Sequence, residues 1–216
     1  MKNFKIFLII FLIIISCNYN NKNNSISKIK DRAGNDIIIP KKIEKIICLS
    51  PSITEILIEI EEEDKIISVD SYSKEILEKN NISTSNMQIF DMMNPDVEKI
   101  ISLKPDIIFV NTFSVFSAKN SVDAIKNLGL SVAVIPNSDT LIAIEEDIYF
   151  LGEVLKLKDA SKKVISKMQI NIEKIKSIGD KITNKKSVYF EIGAMPNLYT
   201  FGCNVYLDDM INIIGA

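Results

Sequence analysis

The stretch NPDVEKIISLKPDIIFV, residues 94–110, opens like a helix and closes like a buried strand. Asn94 suits an N-cap, and Pro95 suits the first helical position, where its missing N–H leaves no bond unmade. Val97, Ile100 and Ile101 form one apolar stripe, and Lys104-Pro105 ends the run. Asp106 then leads into Ile107-Ile108-Phe109-Val110, an apolar, β-branched run with no polar alternation, as expected of a strand covered on both faces. Glu98 stands apart from this pattern. It is a carboxylate in the first turn, away from the capping-box position, and it either compensates the helix dipole or is gripped by a partner.

The same alternation extends along the chain. Ile37–Ile39, Ile46–Leu49, Lys65–Val69, Met87–Phe90 and Ser131–Ile135 read as strands. Helices are expected at Ser52–Ile60, Lys74–Lys79 and Ala118–Leu128, with Ser52 and Glu55 forming a capping box. Strands alternating with amphipathic helices argue for a parallel sheet covered by helices on both faces. Neither GxGxxG nor GxxxxGK[ST] is present, which argues against a dinucleotide enzyme or an NTPase. From Thr140 to Lys181 the pattern is almost wholly helical. Asp159–Ile182 reads as one strut of about 24 residues, or about 36 Å, with Val164, Met168, Ile172 and Ile175 as its stripe. Ser187–Ile192 is expected as a strand and Leu207–Ile214 as a helix. Residues 186–216 are too few to close a core alone, so they pack on the first sheet, belong to a truncated lobe, or are completed by a partner.

Composition narrows the function. The chain has 216 residues, 47% hydrophobic and 25% charged, with a net charge of −2 and no basic stripe that would suit nucleic acid. It has no His, which removes the commonest metal ligand and the usual general base near neutral pH. Zinc sites built on His and Ser-His-Asp triads are excluded. At the N-terminus, Lys2 and Lys5 precede an apolar core, Ile6–Ile15, too short to span a bilayer comfortably. Ile14-Ile15-Ser16-Cys17 resembles the lipobox of bacterial lipoproteins, with Cys17 as the lipid attachment site; the plainer reading is an uncleaved signal anchor. The lipobox reading makes the chain exported and lipid-anchored to the cell membrane, facing the periplasm or exterior. The polar run from Asn18 suits a tether reaching roughly 18 Å for ten residues. Cys48 is expected in a buried strand as a small hydrophobe and Cys203 in a turn, with no disulfide between them. The expected organisation is a signal peptide at 1–17, a tether at 18–30 and an N-terminal α/β lobe at 31–139. A helical connector at 140–185 and the start of a second lobe at 186–216 follow.

Several segments, in order, resemble one family. DRAGNDIIIPKKIEKIICLSPSITEIL (31–57), the 94–110 block, the long strut, SVYFEIG and LYTFGCNVYLDDMINIIG are similar to substrate-binding proteins of ABC transporters that carry iron–siderophore complexes, cobalamin or haem. The resemblance implies an α/β fold: a Rossmann-like parallel-sheet lobe, a long interlobe helix and, here, an incomplete second α/β lobe. It implies a carrier, not an enzyme, with no cofactor of its own. Its partners would be an ABC permease with its ATPase subunit, a small-molecule ligand, and the membrane through the lipid anchor.

By position, Glu98 matches the first-lobe glutamate with which family members dock on the permease. The second-lobe counterpart falls at Asn204, which departs from the pattern, with Asp208 or Asp209 as the nearby substitutes. Ligands of open α/β sheets sit at the carboxyl ends of the strands. That selects Ser50-Pro51-Ser52, Asp70-Ser71-Tyr72, Phe90-Asp91-Met92-Met93 and the loop from Asn111 to Phe116, faced by Met195, Pro196, Asn197 and Tyr199. Tyr72 and Phe90 match positions where cobalamin-binding relatives set aromatic faces against the corrin. Tyr72, Met92 and Met93 are also of the residue types that ligate haem iron. Against each stands ordinary loop packing. Arg32, the only arginine, lies in the opening segment, so the cleft suits a neutral or macrocyclic ligand better than a strongly anionic one. The run Glu59, Glu61, Glu62, Glu63, Asp64 reads as solvated surface. The alternatives are a zinc- or manganese-binding relative, disfavoured by the missing His, and a truncated or partner-completed surface lipoprotein without transport.

Overall fold

The computed structural model describes residues 27–193 and 195–216. The expected signal peptide, Cys17 and most of the expected tether lie outside the described residues. The tether's last residues do not: β1 (Ser27–Lys30) pairs antiparallel with β2 (Asp36–Ile39). Asp31 holds the turn between them, accepting hydrogen bonds from the backbone N–H of Ala33 (3.0 Å) and Asn35 (2.8 Å). Its second oxygen accepts from the Val134 N–H at 2.9 Å, which fastens the hairpin to the main sheet.

That sheet comprises, among the described residues, β3 (Ile46–Leu49), β4 (Ile66–Asp70), β5 (Gln88–Phe90), β6 (Ile107–Asn111) and β7 (Val132–Ile135). All pairings are parallel, in the order β5-β4-β3-β6-β7. The fold is therefore α/β with a parallel sheet, as the alternating pattern predicts. Successive residues face opposite sides. Ile46, Cys48, Ile107, Phe109 and Ala133 pack under α1 (Pro51–Glu59), α2 (Ser71–Lys79) and α6 (Leu141–Val154). Ile47, Leu49, Ile108, Val110 and Val132 pack under α3 (Val97–Leu103) and α5 (Lys119–Asn127). Burying a side chain of this size contributes about 1.5–3 kcal/mol, so the doubly covered central strands carry much of the stability.

Several expected boundaries move. The N-cap of α3 is Asp96, not Asn94: its carboxylate accepts from the Lys99 N–H at 3.1 Å, while Asn94 and Pro95 lie in the preceding loop. Lys104, at φ 50°, ends that helix. Helix α1 starts at Pro51 with Ser50 as N-cap, so the Ser52–Glu55 capping box does not form and Glu55 is exposed. The helix expected at Ala118–Leu128 is preceded by a separate one, α4 (Thr112–Ser117). Within the acidic run Glu62 is not solvated; it is buried and pairs with Lys65 at 2.6 Å.

Helix α6 turns sharply, through Lys156 at φ 62°, into α7 (Lys158–Gly179) of 22 residues, about 33 Å long. Gly152 permits this close antiparallel pair, since a β-carbon there would overlap the Ser161 side chain. The last segment departs most from expectation. Ser187–Ile192 is not a strand: no described strand pairs with it, and an isolated bridge joins Gly193 to Tyr199. Its side chains are exposed, Tyr189 by 71%. The helix expected at Leu207–Ile214 is present as α8 (Tyr206–Ile213). It docks on α7 where Gly179 meets Gly215, so closely that a β-carbon at Gly179 would overlap the Ile213 carbonyl oxygen. No helix among the described residues is long and apolar enough to cross a membrane.

Candidate ligand cleft

Because all five strands of the main sheet are parallel, the loops after each lie along one edge. Buried polar caps fix their directions. The Asp70 carboxylate, fully buried, accepts from the N–H groups of Tyr72 (2.9 Å) and Ser73 (3.0 Å) and from the Ser73 hydroxyl (2.5 Å). This starts α2 rigidly and leaves the Tyr72 ring 61% exposed. Asn111 Oδ1 accepts from the Ser114 N–H at 2.7 Å and starts α4, which presents Phe113 and the almost fully exposed Phe116. Asp91 Oδ1 accepts from the Met93 N–H at 2.8 Å; Met93 is exposed and Met92 half-buried.

Phe90 requires a correction. Its ring is 4% exposed and packs with Ile47, Leu49 and Ile100 in the core, so it offers no flat face at this edge. The exposed aromatic residues here are Tyr72, Phe113 and Phe116. Phe113 and Phe116 lie in the predicted loop, and the sequence signal for them is their spacing, three apart directly after a strand.

Beside this edge a groove of about 730 Å³ runs between α1, α6, α7 and the start of α8. Of the predicted residues Ser52 lines it, whereas Tyr72, Met92, Met93 and Tyr199 do not. Tyr199 is exposed on its turn, its ring lying over Gly193. The groove was legible only in part, as the stripe Ser52, Glu55, Ile56, Glu59 at helical spacing on α1. One wall is braced by buried charge. Arg32 Nε donates to Asp147 Oδ1 at 2.7 Å, and the Ser138 hydroxyl donates to Asp147 Oδ2 at 2.5 Å. The adjacent Asp139 carbonyl accepts from the Tyr206 N–H at 2.6 Å, which ties α8 to the loop after β7. Lys167, also in the groove, pairs with Glu59 at 3.0 Å.

Glu98 is exposed in the first turn of α3, and its side chain has no ion pair among the described residues. Cys48 and Cys203 are both free. Burial pushes the Cys48 thiol up to about 12, against weaker opposing hydrogen bonds from Thr54 and the Ser50 backbone, so it is a core residue and not a ligand group. No group of three or more Cys, Asp or Glu among the described residues is placed to hold a metal ion.

An open parallel sheet with a ligand-sized groove beside its carboxyl edge, followed by a long strut helix, has the architecture of a solute-binding protein. Residues 46–216 match the family described as periplasmic binding protein, and the chain belongs to that family. It is 28% identical over 193 residues to an uncharacterized ABC transporter substrate-binding lipoprotein, YvrC, of Bacillus subtilis (strain 168). That match covers 87% of this chain and 59% of the relative, so the chain spans about three fifths of the relative's length. A possible iron-binding (periplasmic solute-binding) protein from Staphylococcus epidermidis superimposes with a TM-score of 0.71 at 25% identity, covering 82% of this chain and 67% of that one. The haem-binding protein RhuT of Roseiflexus sp. RS-1 shares the fold, with a TM-score of 0.65 at 21% identity over 81% of this chain and 65% of that one.

Proposed function

We propose that the chain is the substrate-binding lipoprotein of an ABC importer. In this reading it captures a bulky iron complex (a siderophore chelate or haem) or cobalamin and delivers it to the permease. The observation that carries this is the groove beside the carboxyl edge, walled by Ser52 on one side and Tyr206 on the other, in a chain of this family. A volume of about 730 Å³ lies within the range of small-molecule sites. The chain's likeness to a possible iron-binding protein supports an iron complex as cargo. Cys17 would carry the lipid and Ser52 would border the cargo in the groove, with Tyr72, Met92 and Met93 on the adjoining carboxyl edge and Tyr199 on its own turn outside it. Glu98, exposed and unpaired, would receive an arginine of the permease in a charge-assisted contact.

Titration with haem, cobalamin and ferric siderophores, followed by melting temperature or tyrosine fluorescence, tests the reading. One ligand should raise stability as RT ln(1 + [L]/Kd); silence toward all would refute it. Glu98→Ala should leave ligand affinity intact and impair uptake; equal loss of both would refute the docking role.

A second reading is a surface lipoprotein whose second lobe is completed by a partner and which does not itself transport. The exposure of Val188, Tyr189 and Phe190 along a segment that no described strand pairs with favours it. Binding of ligand by the chain alone would count against it.

A further inference from the structure

The groove and the edge beside it are poor in positive charge. The loops after the five parallel strands, residues 50–55, 70–74, 90–99, 111–117 and 135–140, hold Glu55, Asp70, Asp91, Asp96, Glu98 and Asp139 against two lysines, Lys74 and Lys99, and Lys99 is paired with Asp96 at 3.6 Å. Lys74 is already paired with Glu78 at 2.6 Å. Residues 193–206, which lead to the facing wall, carry no charged side chain. Inside the groove, Lys167 is neutralised by Glu59, and Asp147 by Arg32. What remains are Glu55 and Asp139, both exposed, both lining the groove and neither in an ion pair among the described residues.

Charge of one sign in a concave site with apolar walls raises the local concentration of the opposite sign and repels its own. The apolar surface here is substantial: Ile56, Ile144, Ile148, Val164 and Met168 line the same groove. Resting on the carrier reading above, we propose that the site selects a cationic metal chelate, with neutral chelates second, and discriminates against anionic ones. A cationic ferric trihydroxamate fits this description. A triply anionic ferric tris-catecholate does not, and neither does haem with its two propionates, because among the described residues lining the groove no unpaired guanidinium or ammonium faces them.

The test is a titration of the full chain with three probes: a cationic ferric trihydroxamate, a neutral one, and a ferric tris-catecholate. Quenching of tyrosine fluorescence is the readout, since the chain has six Tyr and no Trp. The cationic probe should bind on the order of tenfold or more tightly than the anionic one at low salt, and the gap should narrow as salt is added. In the variant Glu55→Gln/Asp139→Asn the gap should shrink, the cationic probe binding more weakly and the anionic probe more tightly than in the parent. Both positions are exposed, and neither side chain makes an ion pair, so the variant should fold. Equal or tighter binding of the anionic probe, or a gap unchanged in the variant, would overturn the proposal. Silence toward all three, together with haem and cobalamin, would overturn the carrier reading itself and this selectivity with it.

Discussion

Arg32 sets the wall of the groove although it is remote from it in sequence. It is 25% exposed and pairs with Glu146 at 2.8 Å and with Asp147 at 2.7 Å; the Asp147 side chain is only 8% exposed. Removing Arg32 leaves the buried Asp147 without its cation but with its Ser138 hydrogen bond, so Arg32→Ala should lower unfolding stability by about 1.5–3 kcal/mol. Arg32→Lys should recover part of that. A denaturant curve showing a loss below about 1 kcal/mol for the alanine variant would contradict the pairing. Cys48 gives a pH prediction with a definite sign. Its ordinary value is 9.0, and burial holds it near about 12 in the folded chain. Between these values the unfolded state releases the proton and the native state keeps it, so stability falls as pH rises above about 9. Cys48→Ala should therefore show a shallower alkaline decline than the parent, and identical slopes would refute this. Of the individual site residues, the exposure of Tyr72, Met93, Glu98 and Tyr199 and the place of Ser52 in the groove follow from position. The burial of Phe90 does not: it ends a strand, and which face it takes depends on its register with Asp70 across the sheet, a long-range fact.

The strands β3, β6 and β7 were the most legible elements, because an unbroken apolar run has few other places to be stable. Helix starts were less so. Asn94-Pro95 and Ser52-x-x-Glu55 are both good capping sequences, yet Asp96 and Ser50-Pro51 win by a register of two residues each. Ser187–Ile192 failed for a different reason. Its residues suit a strand, but a strand is a pairing, and no described neighbour offers one. The link between α7 and α8 is equally non-local. It depends on Gly179, where a β-carbon would meet backbone rather than a movable side chain. Gly179→Ala should therefore lift α8 off the strut. Limited proteolysis should then cut between 180 and 205 well before the parent, while residues 31–150 resist. An unchanged digestion pattern would show that the close approach is not needed.

At the scale of the molecule, one doubly covered sheet provides rigidity, its carboxyl edge provides the site, and the strut and α8 provide the facing wall. The first of these was readable from periodicity, and the second followed from parallel topology. The groove was readable only on its α1 side, since it forms where α1, α6 and α7 converge from segments about a hundred residues apart. The central claim is that cargo sits in this groove, between Ser52 and Tyr206. Hydrogen–deuterium exchange of the full chain, with and without saturating cationic ferric trihydroxamate, tests it most directly. The account predicts slowed exchange at 50–56, 137–140 and 206–209 together. Protection confined to other segments, or none with the chelate bound, would contradict it.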